Sequence, residues 1–349
     1  MKNFENWWLS IDKLNFILIF SLGVTGVILS FSINESFTYI NRHTIFFIIG
    51  FILLIFFSNL DDKNIRRISL FGFLFLFVLL LYVLFLDFEV KGAKRWIKFF
   101  NFTIQPSELI KPFFIILTAW CISQTINSKK NYLITLFIFF GALISLILLQ
   151  PDVGMTILFT STFFCQLFVA GLPLILVILA VIFLLIMSTS SYFIFDHVQR
   201  RINSFFESGD THQIDLSIRA FKSGGIFGKG PGQGILKEKI PDAKTDFIFS
   251  VAGEELGLIF CLIILLIILS IIIRTLIKVL KIQDPYKMIA ISGLICSFGL
   301  QSLINIFSSL GVIPTKGMTL PFVSYGGSSI ISISILFGIL LSLTNKNNE

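Results

Sequence analysis

The densest acid–base chemistry in the chain lies in Ile240-Pro-Asp-Ala-Lys-Thr-Asp246-Phe-Ile-Phe-Ser-Val-Ala-Gly-Glu254-Glu255-Leu-Gly257. Asp246 is followed at once by an apolar run. Partial desolvation there would make its carboxylate a better proton acceptor, which suits a general base. Glu254 and Glu255 read as caps of the helix that follows. Just upstream, Ser223-Gly-Gly-Ile-Phe-Gly-Lys-Gly-Pro-Gly-Gln-Gly234 holds six glycines. Glycine permits tight turns and close backbone approach to a ligand, and Lys229 could reach a phosphate as a point charge. The pattern is no nucleotide fingerprint, because no strand precedes it and it lacks the Gly-Lys-Ser/Thr ending of a phosphate loop. A flexible loop is the bland alternative.

Three other polar segments interrupt apolar sequence. Lys91-Gly-Ala-Lys-Arg-Trp-Ile-Lys98 sets basic residues beside Trp96, a combination that clamps anionic head groups at a membrane interface. Gln105-Pro-Ser-Glu-Leu-Ile-Lys111 follows. Pro106 suits the first position of a helix, and Glu108 and Lys111 share a face at i, i+3, as a structural ion pair or as ligand contacts. In Gln150-Pro151-Asp152-Val-Gly154, Asp152 reads equally as a helix cap and as a wall of a polar cavity. Finally, Gly311-Val-Ile-Pro-Thr-Lys-Gly-Met-Thr-Leu-Pro-Phe-Val-Ser-Tyr-Gly-Gly-Ser-Ser329 is a small-residue loop that re-enters the bilayer. Such backbone is tolerated at depth only where it lines a cavity or is buried in protein.

The elements that position these segments are membrane helices. Of 349 residues, 55% are hydrophobic and only 13% charged, against about 25% charged in a soluble domain. Mean hydropathy is +0.92. The 42 phenylalanines are given no functional weight. Continuous apolar runs predict an all-α bundle of about ten spans at 14–32, 44–60, 66–86, 107–124, 132–149, 152–171, 173–195, 255–275, 287–311 and 325–344. The first run, behind Lys2, Trp7, Trp8 and Lys13, reads as an uncleaved signal anchor. A long loop at about 196–254 separates spans seven and eight, and the whole of 1–349 reads as one membrane-embedded domain. With the N-terminus inside, the inner segments hold Lys2, Lys13, Lys63, Arg66, Arg67, Lys129, Lys130, Arg274, Lys278, Lys281, Lys287 and Lys346. The short outer loops hold Arg42, Lys91, Lys94, Arg95, Lys98 and Lys316, which favours this orientation and puts the long loop outside. Cys121, Cys165, Cys261 and Cys296 sit inside apolar runs without metal-ligand spacing and read as small buried hydrophobes.

Taken together, the five polar segments resemble the SEDS family of peptidoglycan polymerases, the RodA and FtsW group, over essentially the whole chain from Arg95-Trp96 to Tyr325-Gly-Gly-Ser-Ser329. Gly228-Lys-Gly-Pro-Gly-Gln-Gly234 with Ile-Pro-Asp242, and Lys316-Gly-Met-Thr-Leu-Pro-Phe322, are more similar to the FtsW branch, with the elongation-type RodA branch as the near alternative. Lys244 stands where the family often has His, and Asp242 where it often has Glu. The resemblance implies a glycosyltransferase that polymerises lipid II at the outer face of the cytoplasmic (inner) membrane, with both termini cytoplasmic. It implies Asp246 as catalytic base, inversion at the anomeric carbon, and loss of undecaprenyl diphosphate. Substrate contacts fall on Lys94, Arg95, Trp96, Gln105, Ser107, Glu108, Lys111, Asp152, Ser223, Gly224, Gly225, Lys229, Thr245, Ser324 and Tyr325. No resident cofactor is implied, although a Mg or Mn ion held by the substrate diphosphate is compatible with the chemistry. Expected partners are lipid II, a class B penicillin-binding protein transpeptidase and other division proteins, not nucleic acid. Two other classes stay open on the residues alone. A flippase would need polar access from both faces, and a non-catalytic scaffold would not need Asp246.

Overall fold

The computed structural model describes residues 4–33, 37–86, 94–99, 102–127, 132–171, 212–315 and 317–345, with isolated positions between 175 and 203. Apolar sequence in lipid must satisfy its own backbone hydrogen bonds, and the chain does so almost entirely with helices. In order these are α1 (Phe4–Ser10), α2 (Lys13–Ser32), α3 (Phe37–Ser58), α4 (Asp62–Leu84), α5 (Pro106–Asn127), α6 (Leu133–Leu149), α7 (Val153–Val169), α8 (His212–Gly224), α9 (Ile248–Val279), α10 (Pro285–Ser309) and α11 (Gly327–Leu343). Six of them, α2 to α5, α9 and α10, are long and apolar enough to cross a membrane, and α6, α7 and α11 are shorter apolar helices. The chain is a multi-pass membrane protein. Nine of the ten expected spans thus have a helix; the seventh, 173–195, and the start of the long loop lie largely outside the described residues, as do Lys91, Lys129, Lys130 and Lys316.

The all-α architecture is as expected; the one addition among the described residues is a short antiparallel hairpin of β1 (Ile97–Phe99) and β2 (Phe102–Ile104), with Ile97 opposite Ile104, at the end of the basic run. Two element boundaries need correction. First, α3 starts at Phe37 rather than at 44, so Arg42 and His43 lie inside it. Both polar groups are accommodated locally: the Arg42 guanidinium sits 5.8 Å above the Phe102 ring, and His43 is fully buried against Ser30. Secondly, α9 does not begin at the carboxylates. It starts at Ile248 and kinks at Gly257 (φ 78°, ψ −177°), so a short leading piece carries Glu254 and Glu255 before the spanning piece begins.

The centre of the bundle is α11, whose residues are nearly all buried and which packs chiefly on α3 and α5. Beside it, α10 packs on α7, α5 and α9. At the opposite end of α9, Asp12 caps α2 and binds Arg274 (2.9 Å) and Lys278 (2.8 Å), which ties the two helices together.

Candidate functional site

Asp246 ends a tight turn that has its own internal frame. The Asp242 carbonyl accepts from the amides of Thr245 (3.0 Å), Asp246 (3.1 Å) and Phe247 (3.3 Å). Phe247, Ile248 and Phe249 are then buried, which anchors the turn from below. The expectation that Asp246 borders an apolar boundary is met in space: the residue is half-buried at the start of α9.

Four residues hold this turn. Asn305 on α10, fully buried, donates from Nδ2 to the Asp246 carbonyl oxygen at 2.9 Å and to the Met318 carbonyl oxygen at 2.7 Å. The Ser309 hydroxyl, one turn on, donates to the same Asp246 oxygen at 3.3 Å. From the re-entrant loop, Ser324 donates to the Thr245 carbonyl at 2.5 Å while accepting from the Leu320 amide, and the Tyr325 amide donates to the Lys244 carbonyl at 2.9 Å. Ser324 and Tyr325 are thus bonded to the backbone of the Lys244-Thr245-Asp246 turn. Gly317 lies against the carboxylate: a Cβ there would stand 3.8 Å from Oδ2. Aromatic rings close one flank. Tyr325 packs edge-on against Tyr39 at 4.6 Å and His43 at 5.7 Å, and Lys244 Nζ lies 5.0 Å over the Tyr39 ring.

A buried polar chain runs from this loop into the bundle. Lys111 Nζ, 1% exposed, donates to Glu108 Oε2 at 2.5 Å and to Gln301 Oε1 at 2.7 Å. Gln301 Nε2 in turn reaches the Thr319 carbonyl at 3.1 Å, and Thr319 and Ser329 share a hydroxyl bond of 2.6 Å. The i, i+3 pair read from the sequence thus forms, and Gln301 connects it to the re-entrant loop. Ser107 is buried beside it, and Ser332 donates to the Glu108 carbonyl.

The basic run meets a different partner set. Arg95 Nε donates to the Gln150 carbonyl at 2.9 Å, its Nη2 to the Pro151 carbonyl, and its Nη1 lies 3.8 Å from Asp152 Oδ2. Asp152 caps α7 through the Met155 amide (3.2 Å) and accepts from Gln105 Nε2 at 3.4 Å. The Gln105 amide donates to Ser328. Asp152 therefore caps α7, and its buried carboxylate also joins a cluster with Arg95 and Gln105. Lys94 and Trp96 are half-buried in the same segment.

The glycine-rich segment approaches the chain's own backbone. The kink at Gly257 frees carbonyls, and the segment covers them: the Lys229 amide donates to the Glu254 carbonyl (3.0 Å) and the Gly230 amide to the Glu255 carbonyl (2.9 Å). A Cβ on Gly228 would lie 2.2 Å from the Glu255 carbonyl oxygen, so this contact requires glycine. Lys229 Nζ pairs with Glu254 at 3.1 Å. Rather than capping a helix, Glu254 accepts amides from Ile235, Leu236 and Lys237, each at 3.0 Å, and Ser223 at 3.5 Å. Glu255 binds the buried Lys237 Nζ at 2.6 Å and Ser32. Two adjacent carboxylates thus nail the segment leading to Asp246 onto α9 and α2.

Sequence reasoning missed Asn305, Gln301, Lys237, Tyr39 and His43. For Asn305 and Gln301 a signal existed: two amides four residues apart inside an apolar span, where polar groups are expensive. Lys237 had none, since its neighbours Lys229 and Lys239 look the same in sequence. Among the described residues no three His, Cys, Asp or Glu side chains come together as metal ligands.

The sequence matches the family described as cell cycle protein, the FtsW, RodA and SpoVE group, over residues 3–349. It is 36% identical over 353 residues to the probable peptidoglycan glycosyltransferase FtsW of Caulobacter vibrioides, covering 97% of this chain and 90% of that protein. The correspondingly named protein of Borreliella burgdorferi is 36% identical over 337 residues, covering 94% and 90%. Among solved structures, a chain described under structural coordination of polymerization and crosslinking by a peptidoglycan synthase complex superposes with TM-score 0.81 at 23% identity, covering 97% of this chain and 98% of that one. The Thermus thermophilus rod shape determining protein RodA gives TM-score 0.70 at 22% identity, covering 97% of each chain. At that identity the two structures establish the shared fold.

Proposed function

This chain belongs to the FtsW, RodA and SpoVE family of cell cycle proteins, and from that premise we propose that it is a peptidoglycan glycosyltransferase that polymerises lipid II at the outer face of the cytoplasmic membrane. The observation that carries the mechanism is the framed turn at half-buried Asp246, whose carbonyl accepts from Asn305 and Ser309 of α10 while Ser324 of the re-entrant loop donates to the adjacent Thr245 carbonyl. A base for sugar transfer must hold its oxygen within hydrogen-bond reach of the acceptor hydroxyl, and a turn fixed by two separate elements favours that.

In this reading Asp246 takes the proton of the acceptor 4-hydroxyl. The oxygen forms a bond to the donor anomeric carbon while the bond from that carbon to the diphosphate breaks. Undecaprenyl diphosphate leaves with the electron pair, and the configuration inverts. The leaving group needs cations rather than an acid. The cations available for it are Lys94, Arg95, Lys111 and Lys229, of which Arg95, Lys111 and Lys229 also bind protein oxygens. The described residues do not fit a protein-held metal, and no step passes through one.

The relatives named FtsW support a division role over an elongation role. The solved synthase complex supports a crosslinking partner, which we take to be a class B penicillin-binding protein transpeptidase. Both termini are assigned to the cytoplasm from the basic residues of the inner loops.

The test is polymerisation of lipid II by the purified protein with and without that partner. Asp246→Asn should fold and lose about 10²–10⁴ in rate. Full activity in that variant would remove Asp246 as base.

A further inference from the structure

We infer that the tip of the glycine-rich segment, Ile226–Phe227, is seated in the membrane at the hydrocarbon boundary and does not stand in water. Its position follows from backbone pairing across the kink. The Leu258 amide donates to the Gly225 carbonyl at 3.0 Å and the Ile259 amide to the Ile226 carbonyl at 3.3 Å. The tip therefore lies level with the first turn of the spanning piece of α9.

That level can be placed against the other face of the membrane. Lys278 pairs with Asp12 at the far end of α9. The 20 helical steps from Leu258 to Lys278 rise about 30 Å, which is the thickness of a hydrocarbon core. Leu258 thus stands at the edge of the core when Lys278 stands at the opposite edge.

The side chains continue a lipid-facing stripe. Along α9, Leu258, Leu262, Leu266, Leu269 and Ile273 are exposed on the outside of the bundle. Ile226 (59% exposed) and Phe227 (81% exposed) extend that stripe at its upper end. Farther along the same segment, exposed Gln233 offers a polar reference position, before exposed Ile235. Exposed Lys222, five residues before Phe227, is placed to meet lipid phosphates. The occupant is the lipid leaflet itself, because the tip is continuous with a surface that lipid already covers. This placement is independent of the catalytic assignment.

The test uses full-length protein in lipid nanodiscs, with Cys165 and Cys296 replaced by Ala and an NBD fluorophore on Phe227→Cys, Ile226→Cys or Gln233→Cys. Labels at 226 and 227 should be quenched at least about twofold more by lipids carrying a nitroxide high on the acyl chain than the label at 233, with iodide showing the reverse order. Iodide quenching at 227 equal to that at 233 would overturn the inference. So would protection of 227 that appears only when a partner protein is added. If Phe227→Cys fails to fold, Ile226→Cys gives the same readout.

Discussion

Asn305 holds Asp246 by its backbone: one buried amide nitrogen spans the carbonyl oxygens of Asp246 and Met318, at 2.9 and 2.7 Å, and so fixes the acidic turn and the re-entrant loop to one point on α10. Neither bond touches the carboxylate. Asp246 is thus immobilised through its main chain.

Asn305→Ala should therefore slow polymerisation with little change in substrate affinity. Two buried hydrogen bonds correspond to about 1–3 kcal/mol, or about 5- to 150-fold in kcat if the loss falls on the transition state. Steady-state kinetics on lipid II check this. An unchanged kcat in a variant of normal melting temperature would show that the turn holds its place without Asn305.

For the Glu108–Lys111 pair, single and double substitutions should differ in size. Lys111→Met leaves a carboxylate, 8% exposed, without its cation, and is expected to cost about 3–5 kcal/mol. Adding Glu108→Gln removes the stranded charge and should recover most of that loss. Thermal unfolding in detergent measures both.

Two glycines in one segment should respond unequally. Gly228→Ala places a methyl 2.2 Å from the Glu255 carbonyl at φ +79°, so both a clash and a left-handed penalty of about 1–2 kcal/mol apply. Gly225→Ala (φ +59°) has nothing within 4 Å and bears the backbone penalty alone. The first variant should melt well below the second.

Acid should weaken the Asp12 tie. Burial pushes the Asp12 carboxyl up, but the bonds from Arg274, Lys278 and the Asn15 amide outweigh it and hold the group below its usual range. A depressed carboxylate contributes stability that is complete above its unfolded pKa, about 3.9, and lost as pH falls through the folded value. Asp12→Asn should thus melt lower at pH 7, by about 1–2 kcal/mol after allowance for the partly exposed cations. Its deficit against the wild type should shrink below about pH 4. Melting curves across that range decide it, and a deficit independent of pH would rule out the charge as its source.

The glycine-rich segment shows where reading a sequence by residue type runs short. Of its six glycines, Gly224 and Gly228 are the two pressed onto other backbone, and what they approach is the chain's own kinked segment at 253–257 rather than a ligand. Likewise Glu254 and Glu255 looked like caps because their partners, the amides at 235–237 and Lys237, lie 17 to 19 residues away.

What the sequence determined alone is what local physics dictates. Apolar run length set nine of the described helices, because lipid offers the backbone no other partners. Helical periodicity put Glu108 beside Lys111. The order of polar segments was enough to identify the family. The tertiary structure decided the long-range pairings: Asn305 with Asp246, Gln301 with Lys111, Lys237 with Glu255, and Arg95 with the end of α6. Those depend on which helices are neighbours, and in a bundle of similarly apolar helices that choice rests on packing between surfaces distant in the chain.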